Sequence, residues 1–171
     1  VHSHSMETIG EDILIAGENG GYILRPNQNL VLPMDTDALH LGVIQFVCKL
    51  SKDTFLLSDQ TTIVRTHYSQ KDQRFKIIDR LNHNQDIIIN DLSKNSDGSL
   101  LLTTEEGLFI LDFTTDQITS IPHDQPNVNN LVDKVAYCVA EIEPNLKWIG
   151  TKTQIYSFTD RKSPFQQIRS D

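Results

Sequence analysis

The hydrophobic and polar positions of this chain follow a pattern that occurs four times. In each occurrence an apolar run is followed by a short polar stretch and then by a second apolar run. The four segments are LIAGENGGYIL from Leu14, LLSDQTTIVRT from Leu56, LLTTEEGLFIL from Leu101 and WIGTKTQIYSF from Trp148. They align without gaps, and their starts are separated by about 40 to 50 residues, a period that indicates repeated supersecondary units.

The residues that flank the segments repeat as well. An apolar stretch ending in turn residues precedes each of the last three segments, and a short amphipathic stretch follows every one. This predicts four short strands per unit, which we label a to d. In the second unit they are predicted at about Val43–Leu50, Thr54–Ser58, Ile63–His67 and Arg74–Ile78. In the third unit, Asp97-Gly98 predicts a type I′ hairpin turn between strands a and b.

Four antiparallel strands that repeat at this period are typical of a β-propeller blade. One such sheet buries little surface alone, and its faces become dry only when neighbouring blades pack on them. This explains why the b strands are apolar on both faces. We therefore predict an all-β propeller fold of about four blades, at approximately residues 11–33, 40–80, 86–122 and 131–169.

The first unit shows strands b, c and d but no recognisable strand a. The chain begins VHSHSM, which resembles an affinity-tag and cloning remnant, so residues 1–6 are set aside and residues 7–171 are assigned to the propeller. With an incomplete first blade, either the ring closes at an unusually small size or the chain is part of a larger propeller. Because a partial ring exposes sheet faces and an edge, we expect the remainder of a parent chain, or self-association, to complete it.

Composition narrows the possible functions. The net charge of −8 and the absence of a basic stripe argue against a nucleic-acid partner. No apolar run is long enough to cross a bilayer, so direct membrane insertion is not predicted. No CxxC, CxxH or HExxH pattern occurs, and we predict no metal and no cofactor. Cys48 and Cys138 are predicted to be small buried thiols in strands.

Three stretches carry a family resemblance: ENGGYIL from Glu18, DGSLLLTTEEGLFILD from Asp97 and LKWIGT from Leu146. They resemble the two-component regulator propeller repeat, whose strand b is similar to Leu-Trp-Ile-Gly-Thr and whose strand c begins Gly-Leu-aromatic. The matching residues are Asp97, Gly98, Leu100, Thr103, Gly107, Leu108, Phe109, Asp112, Asn145, Leu146, Trp148, Ile149, Gly150, Thr151 and Tyr156. Thr62 and Gln154 depart from the glycine of this pattern.

The resemblance implies a non-catalytic sensor segment on the periplasmic or extracellular side of a membrane-anchored hybrid two-component system protein, a group typical of gut Bacteroidetes. The histidine kinase of such a protein lies outside the propeller, and many of these propellers are thought to respond to oligosaccharides. Two alternatives remain open at this point. The chain is a scaffold for protein partners, or it is a carbohydrate-active enzyme built on a propeller.

Polar loops suggest where a ligand binds. In propellers the b–c and d–a loops share one face, and in this chain those loops are rich in amide and carboxylate side chains that suit sugar hydroxyls. No catalytic residue is predicted, and the pair Asp35 and Asp37 lacks the further ligands and glycine of a calcium loop. Trp148 and Tyr156 stand in register with the apolar repeat and are predicted to be core residues. The predicted ligand-binding residues are Asp35, Asp37, Asn82, His83, Asn84, His123, Asp124, Asn127 and Asn129.

Overall fold

A computed structural model describes residues 3–81, 87–113, 115, 117–121, 135–144, 146–159 and 165–168. The described residues form sixteen β-strands and two 3₁₀ turns. The strands make four sheets, each with four antiparallel strands in chain order. The predicted all-β propeller fold with four blades is therefore confirmed. Two compact units, Val1–Asn84 and Gln85–Asp171, hold two blades each.

The first unit contains blades 1 and 2. Its strands are, in blade 1, β1 (Ser3–Ile9), β2 (Asp12–Gly17), β3 (Gly20–Arg25) and β4 (Leu30–Pro33), and in blade 2, β5 (Phe46–Lys49), β6 (Thr54–Ser58), β7 (Ile63–Ser69) and β8 (Arg74–Leu81). The 3₁₀ turns are Pro26–Gln28, between β3 and β4, and Asp37–Leu39, in the loop that joins the two blades.

The second unit contains blades 3 and 4. Its strands are, in blade 3, β9 (Ile89–Lys94), β10 (Leu100–Thr104), β11 (Gly107–Asp112) and β12 (Gln117–Ser120), and in blade 4, β13 (Ala136–Glu143), β14 (Leu146–Thr151), β15 (Ile155–Thr159) and β16 (Phe165–Ile168). The repeat segments thus form strands b and c of every blade. Strand β12 has mostly exposed side chains, as expected for the outermost strand of a blade.

Blade 1 is complete, so the prediction that it lacks strand a was wrong. Strand β1 begins at Ser3 and pairs with β2, with Met6 opposite Ile15. Residues 3–6, which were set aside as a cloning remnant, take part in this strand. The strand was missed because the polar residues Ser5 and Glu7 lie on the side that meets the next blade, where apolar residues were expected; both are half-buried and accept hydrogen bonds from that blade.

Blades 1 and 2 pack together through one apolar cluster. We call the side of a blade that meets the following blade its forward face, and the opposite side its backward face. Because side chains alternate along a strand, Leu14 and Ala16 lie on the forward face of blade 1, and Leu57 and Val64 lie on the backward face of blade 2. All four are at most 1% exposed, so this junction is dry.

Blades 3 and 4 repeat the arrangement in the second unit. Leu101 and Leu108 lie on the forward face of blade 3, and Val139, Ile149 and Tyr156 lie on the backward face of blade 4. Tyr156 is fully buried, which confirms its prediction as a core residue. Burial of these apolar side chains is the main stabilising contribution at each junction.

The first strands of successive blades are also linked by side chains that accept hydrogen bonds from backbone amides. In the first unit the N–H of Val47 donates to Oγ of Ser5 at 2.7 Å. In the second unit the N–H of Val139 donates to Oδ2 of Asp91 at 3.2 Å. These bonds satisfy edge amides that the β-ladder of their own blade leaves open.

Three further expectations were wrong. Trp148 is 41% exposed rather than part of the core, and Cys138 is exposed, whereas Cys48 is buried as predicted.

The turn before β10 is not type I′, because that type requires positive φ at both central residues and only Gly98, at +90°, has it. Instead, the N–H of Gly98 donates to the carbonyl of Asn95, so the turn runs from Asn95 to Gly98 and Gly98 is its last residue.

Candidate functional site

A cavity of about 350 Å³ opens in the first unit where the b–c turn of blade 1 meets the loop between blades 1 and 2. It lies on the side of the blade that the sequence predicted for ligand contact, because b–c turns and d–a loops share that side. Asn19 and Thr36 supply its polar side chains, and the half-buried Tyr22 and the exposed Val43 supply apolar surface. The full lining is Asn19, Gly20, Gly21, Tyr22, Pro33, Met34, Thr36, Leu41, Gly42 and Val43.

Two adjacent glycines shape the cavity. Gly20 has a φ of +106°, a backbone conformation that L side chains rarely adopt, and so permits the tight turn between β2 and β3. A Cβ on Gly21 would lie 2.6 Å from the Sδ of Met34, so the Met34 side chain packs against the turn in the space that this glycine leaves. The Tyr22 hydroxyl donates to the carbonyl of Asn19 at 3.0 Å and so stabilises the turn.

Asp59 holds the far wall of the cavity in place. Its Oδ2 accepts the N–H of Gly42 at 3.1 Å, and its Oδ1 accepts the N–H groups of Thr61 and Thr62 at 2.8 and 2.7 Å. One carboxylate therefore connects the inter-blade loop to the b–c turn of blade 2. The side chains of Leu41 and Ile44 are buried in the same loop and anchor it to the apolar cluster.

The predicted residues Asp35 and Asp37 lie in the same loop but outside this cavity. Asp35 is exposed and its Oδ1 accepts the N–H of Ala38 at 3.4 Å, at the start of the 3₁₀ turn that contains Asp37. Asp35 lines a second, smaller cavity of about 210 Å³. Gln73 and Arg74 of blade 2 contribute its other polar groups, so a carboxylate, an amide and a guanidinium border one groove.

The remaining predicted ligand-binding residues lie outside the described residues. They are Asn82, His83, Asn84, His123, Asp124, Asn127 and Asn129. Asn19 and Thr36 were not predicted. The signal for them was present, because the Asn-Gly-Gly turn and the sequence MDTDALH both interrupt apolar strands with polar loop residues.

Over the described ranges, no group of three or more His, Cys, Asp and Glu side chains is placed to hold a metal ion. The described part of the chain contains no helix long and apolar enough to cross a membrane. The side chains that line the first cavity offer hydrogen-bonding groups and apolar surface. Its volume falls in the range of small-molecule sites, about 300 to 1,000 Å³.

The fold is similar to that of extracellular domains of signalling proteins. The extracellular domain of the hybrid two-component system protein BT4673 of B. thetaiotaomicron matches 100% of the chain, with a TM-score of 0.72 and 18% identity. The extracellular domain of BT3049, from the same organism, matches 99% of the chain with a TM-score of 0.67 and 13% identity. The chain spans 22% of the length of each of these proteins.

A third similar structure is the WD40 β-propeller domain of Doa1, which matches 97% of this chain with a TM-score of 0.67 and 13% identity. Here the chain spans 53% of the other protein. At these identities the likeness shows the fold, that of β-propeller blades. The structural neighbours nevertheless include extracellular domains of hybrid two-component systems, which is the group that the repeat resembles. No family model and no curated protein matches the sequence.

Proposed function

We propose that this chain is a non-catalytic, ligand-binding segment of a sensor propeller, and that it acts on the extracellular or periplasmic side of a two-component signalling protein. The observation that carries the proposal is the cavity between the Asn19–Tyr22 turn and the Met34–Val43 loop. The fold likeness to extracellular domains of hybrid two-component systems supports the signalling role and the location.

The composition of the cavity favours a polar ligand with an apolar face. Asn19 offers an amide that donates and accepts at once, and Thr36 offers a hydroxyl with the same capacity. Tyr22, Pro33 and Val43 border these groups with apolar surface. A pyranose ring has hydroxyls around its edge and C–H groups on its faces, so an oligosaccharide is the class of ligand we propose.

Calorimetric titration tests the proposal with three chemically distinct probes: maltohexaose, cellohexaose and a galacturonic acid hexamer. We expect saturable binding of at least one probe. Asn19→Ala and Thr36→Val should each weaken that binding by about fivefold, because each removes a ligand hydrogen bond worth about 1 kcal/mol.

Asn27→Ala is the matched control. Asn27 is exposed, bonds to Glu11 at 2.9 Å and does not line the cavity, so its replacement should leave binding unchanged. Absence of binding by all three probes would contradict the oligosaccharide class. Equal effects of Asn19→Ala and Asn27→Ala would contradict the cavity as the site.

A further inference from the structure

The second cavity of the first unit lies where the end of β4 and the loop after it meet the start of β8. Both blades that border it belong to one compact unit. Its apolar wall is part of the junction core, because Ile23 is 6% exposed and Met34 is 8% exposed. The half-buried Phe75 completes this wall, and its ring packs against those of Phe55 and Tyr68, with centroids 5.9 and 4.9 Å away. The core therefore holds the wall in place.

The blade 2 side of this cavity carries hydrogen-bond donors. The guanidinium of Arg25 donates to Oε1 of Gln73 at 2.7 Å, so the amide nitrogen of Gln73 remains as a donor. That nitrogen donates to no residue that the structure describes, and Gln73 has a φ of +54°, which glutamine rarely adopts. Arg74 is exposed and forms no ion pair with a described residue. The acid beside it in sequence, Asp72, instead lies 3.5 Å from Nζ of Lys76.

The blade 1 side of the cavity carries a hydrogen-bond acceptor. Oδ1 of Asp35 accepts the N–H of Ala38 at 3.4 Å, whereas Oδ2 accepts no hydrogen bond from the described part of the chain. Asp35 and Arg74 line the same cavity, yet no ion pair joins these two residues. The cavity thus presents a negative group from one blade, a positive group from the next blade and an apolar wall.

We propose that this cavity binds a small zwitterion, namely an α-amino acid with an aliphatic side chain. The carboxylate of the ligand accepts hydrogen bonds from Arg74 and Gln73, because a guanidinium and an amide together can donate to both of its oxygens. The ammonium group of the ligand donates to Asp35, and the aliphatic side chain contacts Ile23 and Phe75. A water molecule takes up about 30 Å³ of the liquid, so a cavity of about 210 Å³ has room for one amino acid of the size of leucine.

Charge complementarity selects this class of ligand. A neutral sugar leaves both charged groups of the cavity without a partner, and a simple carboxylate or amine leaves one of them without a partner. The cavity is also smaller than the one that contains Asn19 and Thr36, at about 210 Å³ against about 350 Å³. The two cavities therefore take different ligands, and the failure of one proposal leaves the other standing.

Titration calorimetry with L-leucine and two of its analogues tests the proposal. Isocaproate lacks only the ammonium group of leucine, and isoamylamine lacks only its carboxylate. We expect saturable binding of leucine and about tenfold weaker binding of each analogue, because each analogue loses one charged contact. No binding of leucine, or equal binding of leucine and either analogue, overturns the proposal.

Two variants assign the two charged contacts. Arg74→Gln should weaken leucine binding about tenfold and remove the preference for leucine over isoamylamine, and Asp35→Asn should do the same with respect to isocaproate. Lys76→Gln and Glu18→Gln are the matched controls. Both residues are exposed and neither lines the cavity, so each control should leave leucine binding unchanged. Preferences that persist in both cavity variants, or controls that bind as weakly as those variants, contradict the site.

Gln73→Gly separates binding from folding. Glycine adopts a positive φ readily, so relief of strain should offset the lost bond to Arg25, and the melting temperature should stay close to that of the wild type. Leucine binding should nevertheless weaken about fivefold, because the amide donor is gone. A folded Gln73→Gly protein that binds leucine as tightly as the wild type contradicts the proposed contact with the carboxylate.

Discussion

The junction of blades 1 and 2 and the junction of blades 3 and 4 share their apolar contacts but differ in the polar groups at their margin. In the first unit Arg25 lies 3.4 Å from Oδ2 of Asp12 and donates to Oε1 of Gln73 at 2.7 Å. In the second unit Lys147, with a side chain only 5% exposed, lies 4.0 Å from Glu141. The repeated apolar residues thus determine where blades pack, and residues outside the repeat determine which polar contacts form at the edge of each junction.

The two margins also respond differently to pH. Burial raises the pKa of Tyr68, which lies beside Arg25 in the first unit, above its ordinary value of 10.0, while the Arg25 charge opposes this shift. In the second unit the hydroxyl and the N–H of Ser99 donate to Asp97 and lower the pKa of that carboxyl below 3.8. The stability of the first unit should therefore fall in alkali, and the stability of the turn at Asp97 in the second unit should fall in acid.

Removal of the shared apolar contact should have the largest effect. Leu14→Ala and Leu101→Ala should each lower the free energy of unfolding by about 2–5 kcal/mol, because each leaves a cavity in a dry junction. Urea denaturation followed by circular dichroism measures both. Trp148→Ala, at the same repeat position, is the control and should cost less than about 1 kcal/mol in dilute solution, since Trp148 is exposed. Similar losses for all three would contradict the assigned faces.

The second largest effect should distinguish the margins. Glu141→Gln should cost about 1–3 kcal/mol, because the Glu141 carboxylate accepts the N–H and the hydroxyl of Ser96 and lies 4.0 Å from the buried Lys147 ammonium. Asp12→Asn should cost about 1 kcal/mol or less, since Arg25 keeps its bond to Gln73. Denaturation curves compare the two. The double variant Lys147→Met, Glu141→Gln should recover part of the loss, and equal losses for the two single variants would show that the margins do not differ.

The b–c turns offer a smaller contrast between blades of one unit. Gly107 has a φ of +125°, so Gly107→Ala should cost about 1–2 kcal/mol through backbone strain. Gln154 holds the same position in blade 4 without a positive φ, and Gln154→Gly should change stability by less than about 1 kcal/mol. Thermal unfolding measures both. A Gly107→Ala protein as stable as the wild type would indicate that the turn adopts another conformation.

The smallest effects are those of pH. Because its folded pKa is raised, Tyr68 contributes stability that is complete below about pH 10 and lost as the pH rises further. Because its folded pKa is lowered, Asp97 contributes stability that is present above pH 3.8 and lost as the pH falls through the folded pKa. Tyr68→Phe should flatten the alkaline side of the stability profile, and Ser99→Ala the acid side. An effect of Tyr68→Phe on the acid side, or of Ser99→Ala on the alkaline side, would contradict the difference in pH sensitivity between the two junctions.

The sequence predicted the fold well where burial repeats with a fixed period. Leu56, Leu57, Leu101 and Leu102 are all at most 1% exposed, as expected for b strands covered on both faces. The same reasoning failed for Trp148, because register shows which face a residue lies on but not whether another blade covers that face. Strand β1 was missed for a related reason, since two of the side chains on its forward face, Ser5 and Glu7, accept hydrogen bonds and only Ile9 adds an apolar contact there.

The candidate site was predicted only in its outline. The loop that contains Thr36 was identified by its polarity, but the cavity also depends on Gly21, which makes room for Met34, and on Asp59, which holds Gly42. These contacts join residues far apart in the chain. Neither periodicity nor turn propensity carries information about such pairs, so the site could not be derived in detail before the structure.

The bonds from Ser5 to Val47 and from Asp91 to Val139 have an evolutionary consequence. Both use a short polar side chain at one repeat position to hold the amide of a valine at another. At this contact, blades 1 and 3 are interchangeable, and so are blades 2 and 4. A gene in which recombination exchanged blade 1 with blade 3, or blade 2 with blade 4, would therefore keep this hydrogen bond within each unit.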